Sequence, residues 1–259
     1  MLRGLYTAWS GLVNEQNRMD VMTNNLANAT TVGFKKEGST SQSFDDVLTL
    51  KIKDASEGFY NAKRLGIRNP GVKIGENYVD YTQGSFRETG NTFDLALGGE
   101  GFFVIEFTNK AGETSSMFTR AGQFTLNREG YLVTQEGDYV LDTQNRRIQL
   151  DTLRDADITQ DGRISQEGRV IAQIQVADFE DYNYLERYGE TYFRPLEGAR
   201  QIDGTAAIYS GYLEMSNVQV VSEMVNLITI TRAYESNQKI IQTYDDSLEI
   251  AVTQLGRLS

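Results

Sequence analysis

The chain of 259 residues contains no cysteine and no histidine. These two absences exclude disulfide staples, thiolate nucleophiles, Cys/His zinc sites, imidazole general bases and Ser-His-Asp triads. What remains is carboxylate, Lys, Tyr or Ser/Thr chemistry, oxygen-ligated metals, or no chemistry at all. Proline is scarce, at Pro70 and Pro195 only, against a usual share of about 5%. No apolar run approaches the roughly 18 residues of a membrane span. The opening MLRGLYTAWSGLVNEQNRMD lacks the apolar block and small-residue cleavage site of a secretory signal peptide, which by itself points to the cytoplasm. Positive charge is also short: 25 Lys and Arg face 36 Asp and Glu, a net charge of −11. So acidic a chain binds phosphate poorly, which argues against a nucleic-acid partner.

Three kinds of sequence are present. Leu2, Leu5, Trp9, Leu12, Gln16, Met19, Thr23 and Leu26 alternate steps of three and four, a heptad seam on an N-terminal helix. Asn24, Asn25, Asn28, Thr30 and Thr31 weaken that helix and Gly33 ends it. At the other end, Val220, Leu227, Tyr234, Ile241, Leu248 and Leu255 recur every seven residues. Their companion column is Met224, Thr231, Gln238, Asp245 and Val252, polar at its three middle positions, a feature that costs stability and fixes register. Ser216 with Gln219 fits a capping box, and Asn217 is an equally good N-cap. A helix over 217–258 would be about 63 Å long.

Between the helices the period changes to two. Short runs such as Phe102–Ile105, Gln123–Leu126, Tyr131–Thr134 and Tyr139–Leu141 are bounded by glycine-containing turns. In 169–176, Val170, Ala172, Ile174 and Val176 share one face of a half-buried strand. The expected fold is a mainly β central domain, a sandwich or barrel, with long terminal helices. The expected division is a helical domain of 1–33 and 214–259, an extended connector or small hairpin over 34–69, and an outer β-domain over 70–213. The helices would pair with each other or with neighbouring copies as a discontinuous coiled coil; the alternative lays both on the β-domain.

Several motifs invite chemistry and have plainer explanations. Asp157, Thr159, Asp161 and Gly162 sit at positions 1, 3, 5 and 6 of a calcium loop, but the twelfth position is Gly168. A turn at Asp161-Gly162 between short strands explains the same residues. Gly98, Gly99 and Gly101 precede Phe102-Phe103, without the Lys-Ser/Thr or the helix of a phosphate loop, and suit a strand-to-strand corner. Asn28-Ala29-Thr30 is formally a sequon; amides at Asn24, Asn25 and Asn28 more simply bond the backbone where the helix ends. Trp9 suits core or subunit packing better than a ligand stack.

The ordered blocks resemble the bacterial flagellar axial proteins, the basal-body rod family among them. Asn24-Asn25-Leu26-Ala27-Asn28 followed by Gly33-Phe34-Lys35 is similar to the family's N-N-x-A-N and G-[FY]-[KR] signature. TQGSFRETGNTFDLALGGEGFFVI (82–105), FTRAGQFTLNREGYLVTQEGDYVL (118–141), and the segment from 209 carrying GYLEMSNV and RAYE resemble the later blocks in order. The resemblance implies a structural subunit, not an enzyme, with no cofactor and no metal. It implies a helical homopolymer forming a hollow drive shaft that transmits torque from motor to hook, most like the distal rod. Expected partners are other copies of the chain, other rod and hook proteins, the type III export apparatus and rod-surrounding rings. The location would then be the basal body outside the inner membrane, reached without a cleaved signal, in place of the cytoplasm. The expected assembly interface is Leu2, Leu5, Trp9, Leu12, Met19, Leu26, Val220, Leu227, Tyr234, Ile241, Leu248 and Leu255, and the turn motif is Asn24, Asn25, Asn28, Gly33 and Phe34. Two other classes remain: an acidic β-rich adhesin with oligomerisation arms, and a carboxylate-dependent hydrolase.

Overall fold

With no proline in its first 69 residues, the chain opens in an uninterrupted helix, α1 (Leu2–Ala27). A computed structural model describes residues 2–51, 63–109 and 112–256. They divide into two units. The first joins α1 to a β-ribbon and to the C-terminal helix, α2 (Val220–Gly256). In the ribbon, β1 (Glu37–Ser43) pairs antiparallel with β4 (Val72–Val79), and β2 (Val47–Lys51) with β3 (Lys63–Arg68). The Phe44 N–H donates to the Gly71 carbonyl at 3.0 Å and joins both halves into one hairpin. The expected connector over 34–69 is therefore the outgoing arm and part of the return. The return continues to Val79, because β4 needs β1 as its ladder partner, so 70–80 belong with the ribbon.

Helix α2 starts at Val220, not at residue 217. Ser216 Oγ accepts from the Val218 N–H at 3.2 Å, and Asn217 Oδ1 accepts from the Lys36 N–H at 2.8 Å. Both candidate caps are spent on other backbone groups, so neither opens the helix. Along α2 six hydroxyls (Thr229, Thr231, Ser236, Thr243, Ser247 and Thr253) donate to the carbonyl four residues earlier. Residues 257 and 258 of the expected helix lie outside the described residues.

The second unit comprises 27–36 and 81–219 and is strand-rich. Its centre is the strand Phe102–Thr108 in a nine-stranded sheet. That strand pairs with Thr114–Thr119 along one side, and with Tyr139–Val140 and Val176–Phe179 along the other. Leu95, Leu97, Phe103, Ile105, Phe124, Leu132, Val140, Ile148 and Ile164 form a core buried to within a few per cent. A second apolar cluster gathers Tyr81, Phe102, Phe179, Tyr182 and Phe193, with ring centroids 4.8–6.3 Å apart. Burial pushes the Tyr81 phenol up to about 12, so it packs as a neutral ring.

The run 169–176 is not one strand. Arg169–Gln173 is an edge strand with Val170 and Ile171 exposed; Ile174 alone of the expected face is fully buried, and Val176 opens a different strand. A bulge breaks the alternation: Ile164 pairs with Ala172 and Ser165 with Val170, leaving Ile171 unopposed. Asp161-Gly162 does form a turn, between Ala156–Ile158 and Arg163–Gln166, with Gly162 at φ +79°. Gly99 and Gly101 make the corner between the strands Leu95–Gly98 and Phe102–Thr108.

Candidate functional site

Two arrangements stand out, one in each unit. In the first unit, α1 and α2 touch where their side chains are complementary in size. A Cβ on Gly4 would collide with the Tyr244 phenol, and one on Gly11 would stand 3.0 Å from Asn237 Nδ2. Gly4 and Gly11 are seven residues apart, as are Asn237 and Tyr244, and they run in opposite directions. The two helices are therefore antiparallel with a shared heptad repeat. On α2 most of the less exposed positions follow the same step: Leu227, Ile230, Tyr234, Asn237, Ile241, Tyr244, Leu248 and Ala251, with Glu223, Thr231 and Ala233 covered beside them. One expected column, Leu227, Tyr234, Ile241 and Leu248, lies on this face; Val220 is 39% exposed. Of the expected companion column only Thr231 is half-buried; Met224, Gln238, Asp245 and Val252 are exposed, and Ile230, Asn237, Tyr244 and Ala251 continue the face.

On α1 the expected seam is only partly covered. Leu5, Leu12, Met19 and Leu26 are half-buried, and Trp9 is 57% exposed. The buried positions are instead Ala8, Ser10, Asn14, Val21 and Asn25. Small and polar side chains let the ribbon and α2 come close. Ser10 Oγ accepts from the Val72 N–H at 3.4 Å. Asn25 spans both backbone groups of Glu37: its Nδ2 donates to the carbonyl at 2.7 Å and its Oδ1 accepts from the N–H at 2.9 Å. The side chains of Leu2 and Leu255 lie outside the described residues.

The second unit contains a buried polar joint between segments far apart in sequence. Lys35 Nζ donates to Glu214 Oε1 at 2.6 Å and to the Thr82 carbonyl at 2.9 Å. The same Oε1 accepts from the Gly84 N–H at 3.0 Å, and Arg120 NH1 reaches Oε2 at 3.3 Å. Lys35, Arg120 and Glu214 are each at most 4% exposed. Backbone bonds reinforce the joint: the Gly33 N–H donates to the Glu214 carbonyl at 2.8 Å, and Asn217 Nδ2 donates to Thr82. Gly33 has φ +70° and lies directly against the Arg120–Ala121 peptide, so both its conformation and the space exclude a side chain. Phe34 is fully buried with the Arg187 guanidinium 4.2 Å above its ring. Asn28 accepts from the Thr31 hydroxyl at 3.0 Å and is buried, whereas Asn24 is exposed.

The expectation from sequence included Gly33 and Phe34 but not Lys35, Arg120 or Glu214 as partners. Lys35 and Glu214 stood in the quoted blocks, yet nothing in their spacing shows that they meet. Among the described residues no group of three or more acidic side chains could hold a metal ion. No described helix is long and apolar enough to cross a membrane.

Comparison with known proteins bears on both arrangements. Residues 5–35 match a model described as flagella basal body rod protein, 96–172 a flagellar hook protein FlgE/F/G D1 domain, and 209–255 the flagellar basal body rod FlgEFG protein C-terminal. The flagellar basal-body rod protein FlgG of Bacillus subtilis is 35% identical over 96% of this chain and 97% of its own. The chain belongs to the flagellar basal-body rod protein family. In Caulobacter vibrioides, FlgG is 34% identical over 98% of this chain and 99% of its own, and FlgF is 33% identical over the whole of both. The two terminal models of the rod family cover most of α1 and of α2, and two sides of the buried joint fall within them: Gly33, Phe34 and Lys35 in one, Glu214 and Asn217 in the other.

Proposed function

We propose that this chain is a structural, non-enzymatic subunit of the bacterial flagellar basal-body rod, with the distal rod favoured, and that it polymerises helically into a hollow torque-transmitting shaft. The end-to-end similarity to FlgG at 35% identity carries this reading. The surface of the first unit supports it. Tyr6 and Trp9 on α1, and Val221, Met224, Val225 and Ile228 on α2, are between 47% and 77% exposed, and an uncovered stripe of this kind marks an interaction surface. Copies of the same chain would cover it, building coiled-coil contacts on Trp9 and Val220 and on the exposed edges of Leu5, Leu12, Met19 and Leu26, while Leu227, Tyr234, Ile241 and Leu248 pack α2 on α1 within the chain. The amides of Asn24, Asn25 and Asn28, the positive φ of Gly33 and the buried ring of Phe34 would shape the turn that follows α1. Other rod and hook proteins, the export apparatus and surrounding rings would be further partners, and the site of work would be the basal body outside the inner membrane.

Electron microscopy of basal bodies from a strain lacking this chain tests the proposal. A truncated rod and loss of motility are expected; complete rods with normal motility would overturn it. The full-length match to FlgF favours one second reading, a FlgF-type subunit, and the level at which the rod stops separates the two.

A further inference from the structure

We infer that Glu214 is a positioning residue that pins the register of the strand leading into α2, independently of the rod assignment. The strand Tyr212–Glu214 pairs antiparallel with Phe86–Glu88, Glu214 opposite Phe86 and Tyr212 opposite Glu88. Its two adjacent residues Leu213 and Glu214 are both buried, on opposite faces. The partner strand is exposed at all three positions, so it has no buried face to dictate alignment. Were residue 214 apolar, the strand would show an apolar side chain to either face, and a one-residue slip would be tolerated. A slip of one residue reverses every side chain. With Glu214 in place, that slip sets Leu213 against the Lys35 ammonium and Arg120 guanidinium and takes the carboxylate from the Gly84 N–H.

Stability alone does not account for the joint. An apolar cluster of equal volume is often as stable as a buried ion triad, whereas a carboxylate held by donors from three segments admits one alignment.

The absence of native cysteine makes register directly readable in the full chain. Glu88→Cys with Tyr212→Cys pairs positions opposed in the observed register. Arg87→Cys or Thr89→Cys with Tyr212→Cys pairs positions opposed only after a one-residue slip. Oxidation followed by non-reducing electrophoresis should favour the 88/212 pair by about tenfold or more, given the narrow geometry of disulfides. With Glu214→Gln added, the preference should fall to within about threefold. Glu214→Asp, which keeps the charge but withdraws it by one methylene, should give an intermediate ratio and serves where Glu214→Gln does not fold. An unchanged preference in a folded variant would overturn the inference. So would failure of both variants to fold, which would assign Glu214 to stability instead of register.

Discussion

The Tyr244 phenol fills the space that a side chain on Gly4 would need, and Asn237 does the same at Gly11 one heptad along. Gly4→Val and Gly11→Val should each cost about 1–3 kcal/mol, the usual range for overpacking. Combining Gly4→Val with Tyr244→Ala should return part of that loss. Thermal melts followed by helical circular dichroism measure both, and additivity of the pair would show that the two positions do not touch.

Lys35→Met removes one cation from a carboxylate that has no access to water. The loss expected for breaking one side of a buried pair is about 3–5 kcal/mol. Urea unfolding followed by near-ultraviolet dichroism of the tyrosine-rich β-unit reads it. The loss should change little with added salt, because buried charges are weakly screened.

Two carboxylates should show opposite pH dependence. The Arg147 guanidinium, bonded to both oxygens of Glu106 at 2.8 Å, holds Glu106 below the usual carboxylate range. Its contribution is therefore present above that range and lost as pH falls through the lowered value. Glu106→Gln should cost about 0.2–1 kcal/mol at neutral pH, given the exposure of Arg147, and nothing in strong acid. Burial raises Asp138 despite the hydrogen bond it accepts from the Tyr192 hydroxyl. Its folded form binds a proton more readily, so stability falls as pH rises through the raised value. Asp138→Asn, still able to accept from Tyr192, should stabilise at neutral pH and be silent in acid. Melting temperatures across pH 3 to 8 (roughly the carboxylate window and above) compare the four cases.

Val225→Asp and Ile228→Asp place charge on the outward stripe of α2. Each should block self-association while changing the melt of the isolated chain by less than about 0.5 kcal/mol, as surface substitutions do. Sedimentation and electron microscopy decide; filaments of normal length from either variant would show that this face is not the one copies share.

Periodicity made much of this architecture legible. The Leu227, Tyr234, Ile241 and Leu248 column could be read directly because large apolar residues mark it. The second column could not. Asn237 and Tyr244 enter the seam because Gly4 and Gly11 open space opposite them, pairings across 226 and 240 residues that no local window contains. On α1 the apolar residues drew attention to Trp9, while the buried face is built from Ala8, Ser10, Asn14 and Asn25. Burial there follows close approach of the ribbon, and small size serves that better than hydrophobicity. The joint was half visible. Gly33 and Phe34 stood out as a turn, yet nothing marked Lys35 and Glu214 as partners, since sequence does not reveal that a carboxylate is enclosed by donors from elsewhere.

The hydroxyls of α2 alter how its surface should be counted. Six threonines and serines give their protons back to their own helix, so covering them strips away little hydration that is not already replaced. By its letters α2 is a mixed helix of apolar and polar residues; by its unsatisfied donors it is considerably drier. Neighbouring molecules could close over it from several sides without a matching acceptor for each hydroxyl, and threonine methyls would then count as greasy contact area. A helix of this kind can look soluble when alone and still be enclosed on most of its circumference.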